Sequence, residues 1–211
     1  MSDMREAIVA AAKRMDAAGF APNKSGNVSA RTDGGMMITP SGLPYARMTP
    51  NDLVTMRLDG TVTGVGKPSS EWPFHAAIYE ARPDAQAIVH THSPKATALA
   101  CARKPIPAFH YMIAYCGGAD VRCADYATFG TPELAQSVVR GLEDRKAVLL
   151  ANHGVVALGA TIEGAYNIAA EVENLAGEYL TILAAGLDPV ILDEAEMERV
   201  AARFSGYGKV G

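Results

Sequence analysis

Two histidines separated by a single residue close an apolar segment of the chain, and a third histidine interrupts a second apolar segment. His90 and His92 end the run over residues 87–92, whose composition is typical of a buried β-strand. Side chains two positions apart on a strand point to the same face, so both imidazoles can reach one point in space. His153 lies within the apolar residues 147–158. Three imidazoles that leave a coordination position open are typical of a catalytic zinc site, and the sequence predicts one at these strand ends.

Short apolar segments alternate with amphipathic ones along all 211 residues. The pattern predicts strands over residues 28–31, 36–39, 53–58, 87–92, 121–123, 147–151 and 155–158. It predicts helices over residues 2–19, 69–82, 93–101, 131–142, 161–185 and 193–204. No internal repeat or long linker divides the chain. We therefore expect one α/β domain over residues 1–211, with a mixed sheet between helices and a mobile, glycine-rich tail at about 205–211.

Charge and cysteine content exclude several classes of function. The net charge is −4 and no block of like charges occurs, so nothing indicates binding to nucleic acid or to an anionic membrane. Cys101, Cys116 and Cys123 form no C-x-x-C pair, and we expect reduced thiols in a cytoplasmic protein. The first helix lacks the apolar core of a signal peptide. The longest apolar stretch carries four glutamates, so we expect no membrane span.

Glu71 is the acid that the sequence places best for proton transfer beside such a metal. It lies in the first turn of the predicted helix over residues 69–82, where the helix dipole favours a carboxylate. Taken alone, this position is also that of an ordinary helix-start acid. Beside a metal-bound substrate, a partly buried carboxylate can move a carbon-bound proton, and in the empty site it can ligate the metal instead.

Three loops of small polar residues predict an anion site. They are Gly26-Asn27, Thr39-Pro40-Ser41-Gly42 and Ser69-Ser70. We expect Ser69 or Ser70 to cap a helix, where free backbone N–H groups and the helix dipole attract phosphate. Each loop alone is also typical of an ordinary turn or cap, and sequence spacing does not show whether the three converge.

Six motifs occur in an order that identifies a known family. They are Gly26-Asn27-Val28-Ser29, Thr39-Pro40-Ser41-Gly42, Ser69-Ser70-Glu71-Trp72, His90-x-His92, Tyr126-Ala127-Thr128-Phe129-Gly130 and Asn152-His153-Gly154. On these residues the chain resembles the class II, zinc-dependent aldolase and adducin-head family over nearly its whole length. The resemblance implies a mostly antiparallel sheet with helices on both faces, a three-layer αβα fold.

The resemblance also implies the chemistry of the site. One Zn²⁺ per subunit, replaceable by Mn²⁺ or Co²⁺, would be held by His90, His92 and His153, with Glu71 beside it as a ligand or as the group that moves the carbon-bound proton. The substrate would be a ketose 1-phosphate, cleaved reversibly to dihydroxyacetone phosphate and a small aldehyde. It would be of the L-fuculose type, or a 5-deoxy- or 5-methylthio-ribulose 1-phosphate from a salvage route. The residues implied in phosphate binding are Asn27, Ser41, Gly42, Ser69 and Ser70.

Three aromatic residues resemble the end of the family's site that binds the aldehyde. Tyr111 and Phe129 would reach the site from the adjacent subunit of a cyclic homotetramer, with Tyr111 as the proton donor to the aldehyde oxygen. Tyr207 would close over the site as a catalytic residue of the tail. The structural alternative for Tyr111 is a packed aromatic, and that for Tyr207 is an unstructured chain end. We expect His75 and His110 to be structural.

Other activities of the same family stay open at this point. They include sugar-acid-phosphate decarboxylases, ribulose-phosphate 4-epimerases and adducin-like heads that only bind partners. The epimerases use an aspartate in place of Glu71 and a further histidine late in the chain, whereas no histidine follows His153. An interaction head would be expected to lose metal ligands, and all are present here. Asn152 and Pro73 stand where sugar-phosphate aldolases often carry a histidine and a basic residue, which bears on the identity of the aldehyde.

Overall fold

Seven strands form one mixed sheet at the centre of the computed structural model, which describes residues 2–206. In chain order they are β1 Asn27–Thr32, β2 Gly35–Ile38, β3 Val54–Arg57, β4 Ala87–Thr91, β5 Arg122–Ala124, β6 Ala147–Leu150 and β7 Gly154–Gly159. Their order across the sheet is β3-β2-β1-β4-β7-β6-β5. All neighbours are antiparallel except β5 and β6, which are parallel.

Six α-helices of the described residues cover both faces of this sheet. They are α1 Ser2–Ala17, α2 Trp72–Ala81, α3 Pro94–Cys101, α4 Pro132–Gly141, α5 Ile162–Ala184 and α6 Glu194–Gly206. One buried cluster joins α1, α3 and α5 to one face of the sheet, and a second joins α2 and α4 to the other. Neighbouring strand residues alternate between the clusters, with Val89 in the first and Ile88 in the second. The expected mixed sheet and three-layer αβα architecture are confirmed.

Turn and capping residues explain several element boundaries. Gly34 adopts a φ of 78° in the two-residue turn that joins β1 to β2, a backbone conformation that costs glycine little. The hydroxyls of Thr131 and Thr161 accept hydrogen bonds from the backbone N–H of the third residue of α4 and of α5. These helices therefore begin where the sequence predicts.

The start of α2 differs from the sequence-based prediction. The expectation that Ser69 or Ser70 caps a helix over residues 69–82 is wrong, since the helix begins at Trp72 with Glu71 at its N-cap position. A β-bridge between the two loops that precede α2 holds the segment before Ser69 extended and keeps it out of the helix. The Glu71 side chain makes no capping hydrogen bond, so its carboxylate is free for other contacts.

The described residues end with α6, whose last two residues overlap the tail expected at 205–211. The rest of that tail, from Tyr207 onward, lies outside the described residues. Within residues 2–206, no helix combines the length and apolarity that crossing a bilayer requires.

Candidate metal centre and active site

His90, His92 and His153 meet at one point although they come from two separate segments of the chain. His90 lies in β4, His92 follows β4 directly, and His153 lies in the turn between β6 and β7. Each pair of rings has its centroids 4.9 Å apart, and His90 Nε2 is 3.0 Å from His92 Nε2. Because β4 and β7 are antiparallel neighbours, the end of one strand and the start of the other share one edge of the sheet.

A backbone hydrogen bond orients the ring of His90, and a tight turn positions His153. His90 is fully buried, and its Nδ1–H donates to the carbonyl oxygen of Val155 at 2.8 Å. Its Nε2 therefore presents a lone pair to the cluster. Asn152 adopts the left-handed conformation with a φ of 56°, which asparagine tolerates better than most residues. Its amide oxygen accepts a hydrogen bond from Arg103 Nε at 3.2 Å, and the turn so fixed directs His153 toward the other two rings.

The carboxylate of Glu71 completes the cluster. Its Oε2 lies 3.1 Å from His90 Nε2, and its Oε1 lies 3.0 Å from His153 Nε2. The residue is only 7% exposed, and Oε1 is buried without a hydrogen bond. One potential ligand atom from each of the four residues lies within 4.8 Å of the others. The structure thus brings together every residue that the sequence analysis names as a metal ligand.

A divalent cation fits this donor set. A buried carboxylate oxygen without a hydrogen-bond donor carries a large desolvation cost unless a positive charge lies beside it. Imidazole nitrogens and one carboxylate oxygen suit Zn²⁺, and they also accommodate Mn²⁺ or Co²⁺. The unpaired oxygen of Glu71 and the three converging imidazoles are therefore what a site for one divalent metal ion requires.

The electrostatics of the cluster favour an ionised Glu71 and a neutral His92, whereas burial lowers the pKa of His90 less than the Glu71 carboxylate raises it. Burial alone disfavours the charged form of Glu71, but the imidazoles of His90 and His153 hold its pKa well below the usual range. Burial, together with His90 and His153, lowers the pKa of His92 to about 3. An anionic carboxylate and a neutral imidazole are ready to bind a metal without first losing a proton.

Two glycines let the backbone come close to the ligands. A Cβ at Gly154 would collide with the carbonyl oxygen of Thr91 and lie 3.1 Å from His92 Cδ2. A Cβ at Gly26, whose φ is +94°, would lie 2.6 Å from the carbonyl oxygen of His90. The glycines of the two motifs therefore allow the backbone to pack closely around His90 and His92, in addition to shaping their loops.

A pocket of about 340 Å³ reaches the cluster and is lined by Glu71, His92 and His153. All three loops of small polar residues lie on its wall, so they do converge. The residues that the sequence analysis assigns to phosphate and that line the pocket are Asn27, Ser41, Gly42, Ser69 and Ser70. Sequence reasoning missed Lys24 and Tyr126, which also line it. The signal for Lys24 was its position next to the Gly26-Asn27 loop, where a cation can meet an anionic ligand.

Asn27 has a second environment besides the pocket. Its side-chain Nδ2 donates to Glu71 Oε2 at 2.9 Å, and its Oδ1 pairs with Nε2 of His75. Asn27 is 2% exposed and His75 is fully buried. The amide of Asn27 thus helps to hold Glu71 in place.

His110, expected to be structural, accepts a hydrogen bond from the Met112 backbone N–H through Nδ1.

The aromatic residues assigned to the aldehyde end occupy different places. Phe129 lines the pocket of its own subunit and is 64% exposed. Tyr111 begins a 3-10 helix over Tyr111–Cys116, is 51% exposed, and lies nearly parallel to the ring of Phe204 with centroids 6.4 Å apart. It does not line the pocket of its own subunit. Tyr207 lies outside the described residues.

Comparison with known proteins places this geometry in a family. Residues 6–180 match the model of the class II aldolase and adducin N-terminal domain. The chain is 47% identical over 205 residues, 97% of this chain and 92% of the relative, to a 5-methylthioribulose-1-phosphate/5-deoxyribulose-1-phosphate aldolase of Rhodospirillum rubrum. It is also 47% identical over 191 residues, 90% of this chain and 88% of the relative, to an L-fuculose phosphate aldolase of Escherichia coli.

Solved structures give the same result for the fold. An L-fuculose 1-phosphate aldolase superposes with a TM-score of 0.93 at 41% identity and 97% coverage of both chains. The L-fuculose-1-phosphate aldolase of Thermus thermophilus superposes with a TM-score of 0.79 at 29% identity, covering 90% of this chain and 100% of the other. The resemblance drawn from the six motifs is confirmed. This chain belongs to the class II aldolase and adducin family, and it is a class II aldolase, a carbon–carbon lyase.

Proposed function

We propose that this enzyme reversibly cleaves a ketose 1-phosphate to dihydroxyacetone phosphate and a small aldehyde. The observation that carries the proposal is the position of the cluster of three histidines and Glu71 in one pocket with loops of small polar residues. A metal-binding cluster supplies the chemistry of carbon–carbon cleavage, and the loops supply an anion site. Relatives that are 45 to 47% identical are aldolases for 5-deoxy-ribulose, 5-methylthioribulose and L-fuculose phosphates.

The metal site of the proposed enzyme consists of His90, His92 and His153, with Glu71 as a further ligand when substrate is not bound. Zinc is the ion that we propose, one per subunit, and as a Lewis acid it would stabilise negative charge on the substrate's oxygens. The burial of His90 and its hydrogen bond to the backbone of Val155 keep its ring in place for this purpose.

The phosphate of the substrate would lie against the polar loops. Ser69 and Ser70 come from one loop and Ser41 and Gly42 from another, and all line the pocket. Gly42 has a φ of +75° and no atom within 4 Å of where a Cβ would be, so its backbone faces open space. Hydroxyls and backbone N–H groups at such turns bind phosphate oxygens. Lys24, on the same pocket wall, would add a positive charge.

Glu71 is the proposed proton-transfer group. In the cleavage direction the hydroxyl at C4 passes its proton to solvent through the Tyr111 hydroxyl of a neighbouring subunit, the C3–C4 bond breaks, and its electron pair stays on C3. Glu71, protonated from solvent, then delivers that proton to C3, and dihydroxyacetone phosphate leaves. In the condensation direction the same carboxylate removes that proton. A low pKa keeps Glu71 ionised in the described structure, ready to accept a proton once substrate displaces it from the metal.

The aldehyde end of the site would be completed by a second subunit. Tyr111 is half exposed and does not line its own pocket. If it exchanges a proton with the aldehyde oxygen, it must do so in the site of a neighbour, which supports a cyclic homotetramer with active sites at subunit interfaces. Tyr207 would follow α6 as a residue that closes the site.

The three free thiols, Cys101, Cys116 and Cys123, support the proposal of a cytoplasmic enzyme.

Mixing two inactive variants tests the shared site. Glu71→Gln and Tyr111→Ala subunits, each inactive alone, are dissociated together and reassembled in equal amounts. If each site combines Glu71 of one subunit with Tyr111 of its neighbour, about a quarter of the sites recover both native residues. Activity near that fraction supports the interfacial site, whereas no recovery in correctly reassembled oligomers argues against it.

Proton exchange tests the role of Glu71 without the aldehyde. The parent should exchange the C3 proton of dihydroxyacetone phosphate with solvent deuterium, and Glu71→Gln should lower that rate by about 10²- to 10⁴-fold. Glu80 is exposed on the same helix, so Glu80→Gln is the matched control. Exchange by Glu71→Gln at the parent rate would refute the assignment.

A substrate panel tests the reaction class. The panel contains L-fuculose 1-phosphate, 5-deoxyribulose 1-phosphate, 5-methylthioribulose 1-phosphate and a sugar-acid phosphate. We expect release of dihydroxyacetone phosphate from the ketose 1-phosphates, with modest discrimination among short aldehyde tails, since each methylene is worth only about 1–3 kcal/mol. Release of carbon dioxide from the sugar-acid phosphate, without aldol cleavage, would identify a decarboxylase instead.

A further inference from the structure

A buried chain of polar side chains runs from the interior of the protein to Glu71. Asn27 and Ser29 lie on β1 two positions apart, so both side chains point to the face that α2 covers. His75 and Tyr79 lie one turn apart on α2 and face β1. All four are buried, with exposed fractions between 0 and 2%. The Tyr79 hydroxyl is 2.8 Å from Ser29 Oγ, and Ser29 Oγ is 2.7 Å from His75 Nδ1.

The direction of every hydrogen bond in this chain follows from its last member. An ionised carboxylate only accepts, so the Asn27 contact of 2.9 Å to Glu71 Oε2 must come from the amide N–H. The amide oxygen of Asn27 then faces His75, and His75 must donate to it from Nε2–H. His75 Nδ1 is left as an acceptor for the Ser29 hydroxyl, and Ser29 Oγ accepts from the Tyr79 hydroxyl. Each group in this series of hydrogen bonds therefore has a fixed role as donor or acceptor toward each neighbour.

The surroundings of His75 hold it in one form. Its ring stacks on Phe74 with centroids 4.7 Å apart, and burial lowers its pKa to about 3. The ring is therefore neutral, in agreement with one donor and one acceptor nitrogen. Neither His75, Ser29 nor Tyr79 lines the pocket, and the hydrogen bonds that join them to the site pass through Asn27 to Glu71.

We propose that His75 is a positioning residue, which fixes the Asn27 amide so that its N–H holds Glu71 Oε2 in place for proton transfer. Without the Nε2–H donor, the amide can rotate and present its oxygen to the carboxylate, and two acceptors would then repel each other. The other contacts of the carboxylate are with His153 Nε2 at 3.0 Å and His90 Nε2 at 3.1 Å. Imidazole nitrogens that hold a metal ion cannot also donate to Glu71, so the Asn27 N–H is the donor left to orient the carboxylate. This inference rests on the proposed role of Glu71 as the proton-transfer residue.

The tautomer of His75 provides a test that does not depend on activity. In the zinc-loaded protein labelled with ¹⁵N-histidine, with His75 identified by its loss in His75→Gln, we expect a protonated Nε2 and a bare Nδ1. This state should not change between about pH 6 and pH 9, because the buried ring does not titrate there. A proton on Nδ1, or an imidazolium in that range, would overturn the proposal.

Kinetics test the effect on Glu71. His75→Leu should lower kcat for aldol cleavage, and the rate of proton exchange, by about 10- to 100-fold. KM should stay within about threefold, since Ser41, Gly42, Ser69 and Ser70 keep their places on the pocket wall, and the zinc content should match the parent. His75→Gln should restore most of kcat, because its amide N–H can reach the Asn27 oxygen. A parent-like kcat in His75→Leu, or an equal loss in both variants, overturns the positioning role.

Two further variants keep the outcome decisive. If His75→Leu does not fold, Ser29→Ala removes the donor to His75 Nδ1 with a minimal change in volume, and kcat should again fall while KM does not. Unchanged kcat there overturns the proposal. Glu71→Gln is measured in parallel: exchange at the parent rate in this variant refutes the base assignment itself, whereas slow exchange there with a parent-like kcat in His75→Leu refutes only the positioning.

Discussion

The buried carboxylate of Glu173 binds the N-terminus of α3, the helix that begins two residues after His92. Glu173 lies on α5 and is 7% exposed. Its two oxygens accept the backbone N–H of Lys95, at 3.0 and 3.1 Å, and the N–H of Ala96, at 2.9 Å. A carboxylate at this position satisfies N–H groups that have no partner within the helix and interacts favourably with the helix dipole.

The cost of removing this carboxylate follows from these contacts. Glu173→Ala leaves the backbone N–H groups of Lys95 and Ala96 without this partner, and Ala96 is fully buried. At about 1–3 kcal/mol for each unsatisfied group, the free energy of unfolding should fall by about 2–6 kcal/mol. Glu173→Gln keeps one acceptor oxygen and should lose about half of that. Glu178, exposed on the same helix, is the control, and Glu178→Ala should change stability by less than about 0.5 kcal/mol.

Urea unfolding of the zinc-loaded protein, followed by circular dichroism, measures these differences. We expect the order parent, Glu173→Gln, Glu173→Ala, with Glu178→Ala indistinguishable from the parent. Because α3 begins directly after His92, Glu173→Ala should also weaken zinc binding. A Glu173→Ala protein within about 0.5 kcal/mol of the parent would show that the three hydrogen bonds do not contribute as reasoned.

Three further predictions concern the pocket, the thiols and the packing around the metal ligands. Lys24→Ala should raise KM for phosphorylated ketoses by about 5- to 30-fold through loss of one charge–phosphate contact. Lys13 is exposed, and Lys13→Ala is the control. An unchanged KM of Lys24→Ala in steady-state kinetics would show that Lys24 does not bind the phosphate. Burial raises the pKa of the Cys116 thiol to about 12, so at pH 8 it stays protonated and should react with a thiol reagent only after unfolding. Exposed Cys101 should react in the native protein, and rapid native modification of Cys116, located by mass spectrometry, would contradict its burial. Gly154→Ala should lower zinc affinity by at least about tenfold because its Cβ forces β7 away from β4, and calorimetric titration with zinc giving the parent affinity would refute this packing argument.

The cluster of three histidines could be predicted because its signal is local. The two-residue period of a strand puts His90 and His92 on one face whatever the rest of the chain does. Placing His153 beside them needed only the inference that two buried strands end at one edge of the sheet. The sequence could not show which nitrogen of each ring faces the centre of the cluster, since this depends on partners such as the Val155 carbonyl.

The start of α2 could not be predicted because its cause is not local. Two serines before an amphipathic segment are a typical N-cap signal, and no residue nearby contradicts it. A bridge between loops far apart in sequence overrides that preference and holds the chain extended up to Ser69. The consequence is functional, since the displaced start puts Glu71 at the N-cap position and leaves its carboxylate free for the cluster.

The hydrogen bonds that hold Glu71 in place also could not be predicted from the sequence. His75 was expected to be structural, and its spacing from Glu71 indicated only a shared helix face. The contact that matters joins His75 to Asn27 on β1, and it exists only because α2 packs on that face of the sheet. For Asn27, the phosphate role came from the family resemblance, while the structure adds a hydrogen bond to Glu71 that no motif shows.

Metal content per subunit tests the central claim most directly. The parent and the variants His92→Ala, His153→Ala and His110→Ala are purified, loaded with zinc and dialysed, and the bound metal is measured by mass spectrometry. The account predicts about one zinc per subunit in the parent and in His110→Ala, whose histidine lies outside the cluster, and almost none in the other two variants. Folded His92→Ala and His153→Ala proteins that retain zinc at the parent level would contradict it.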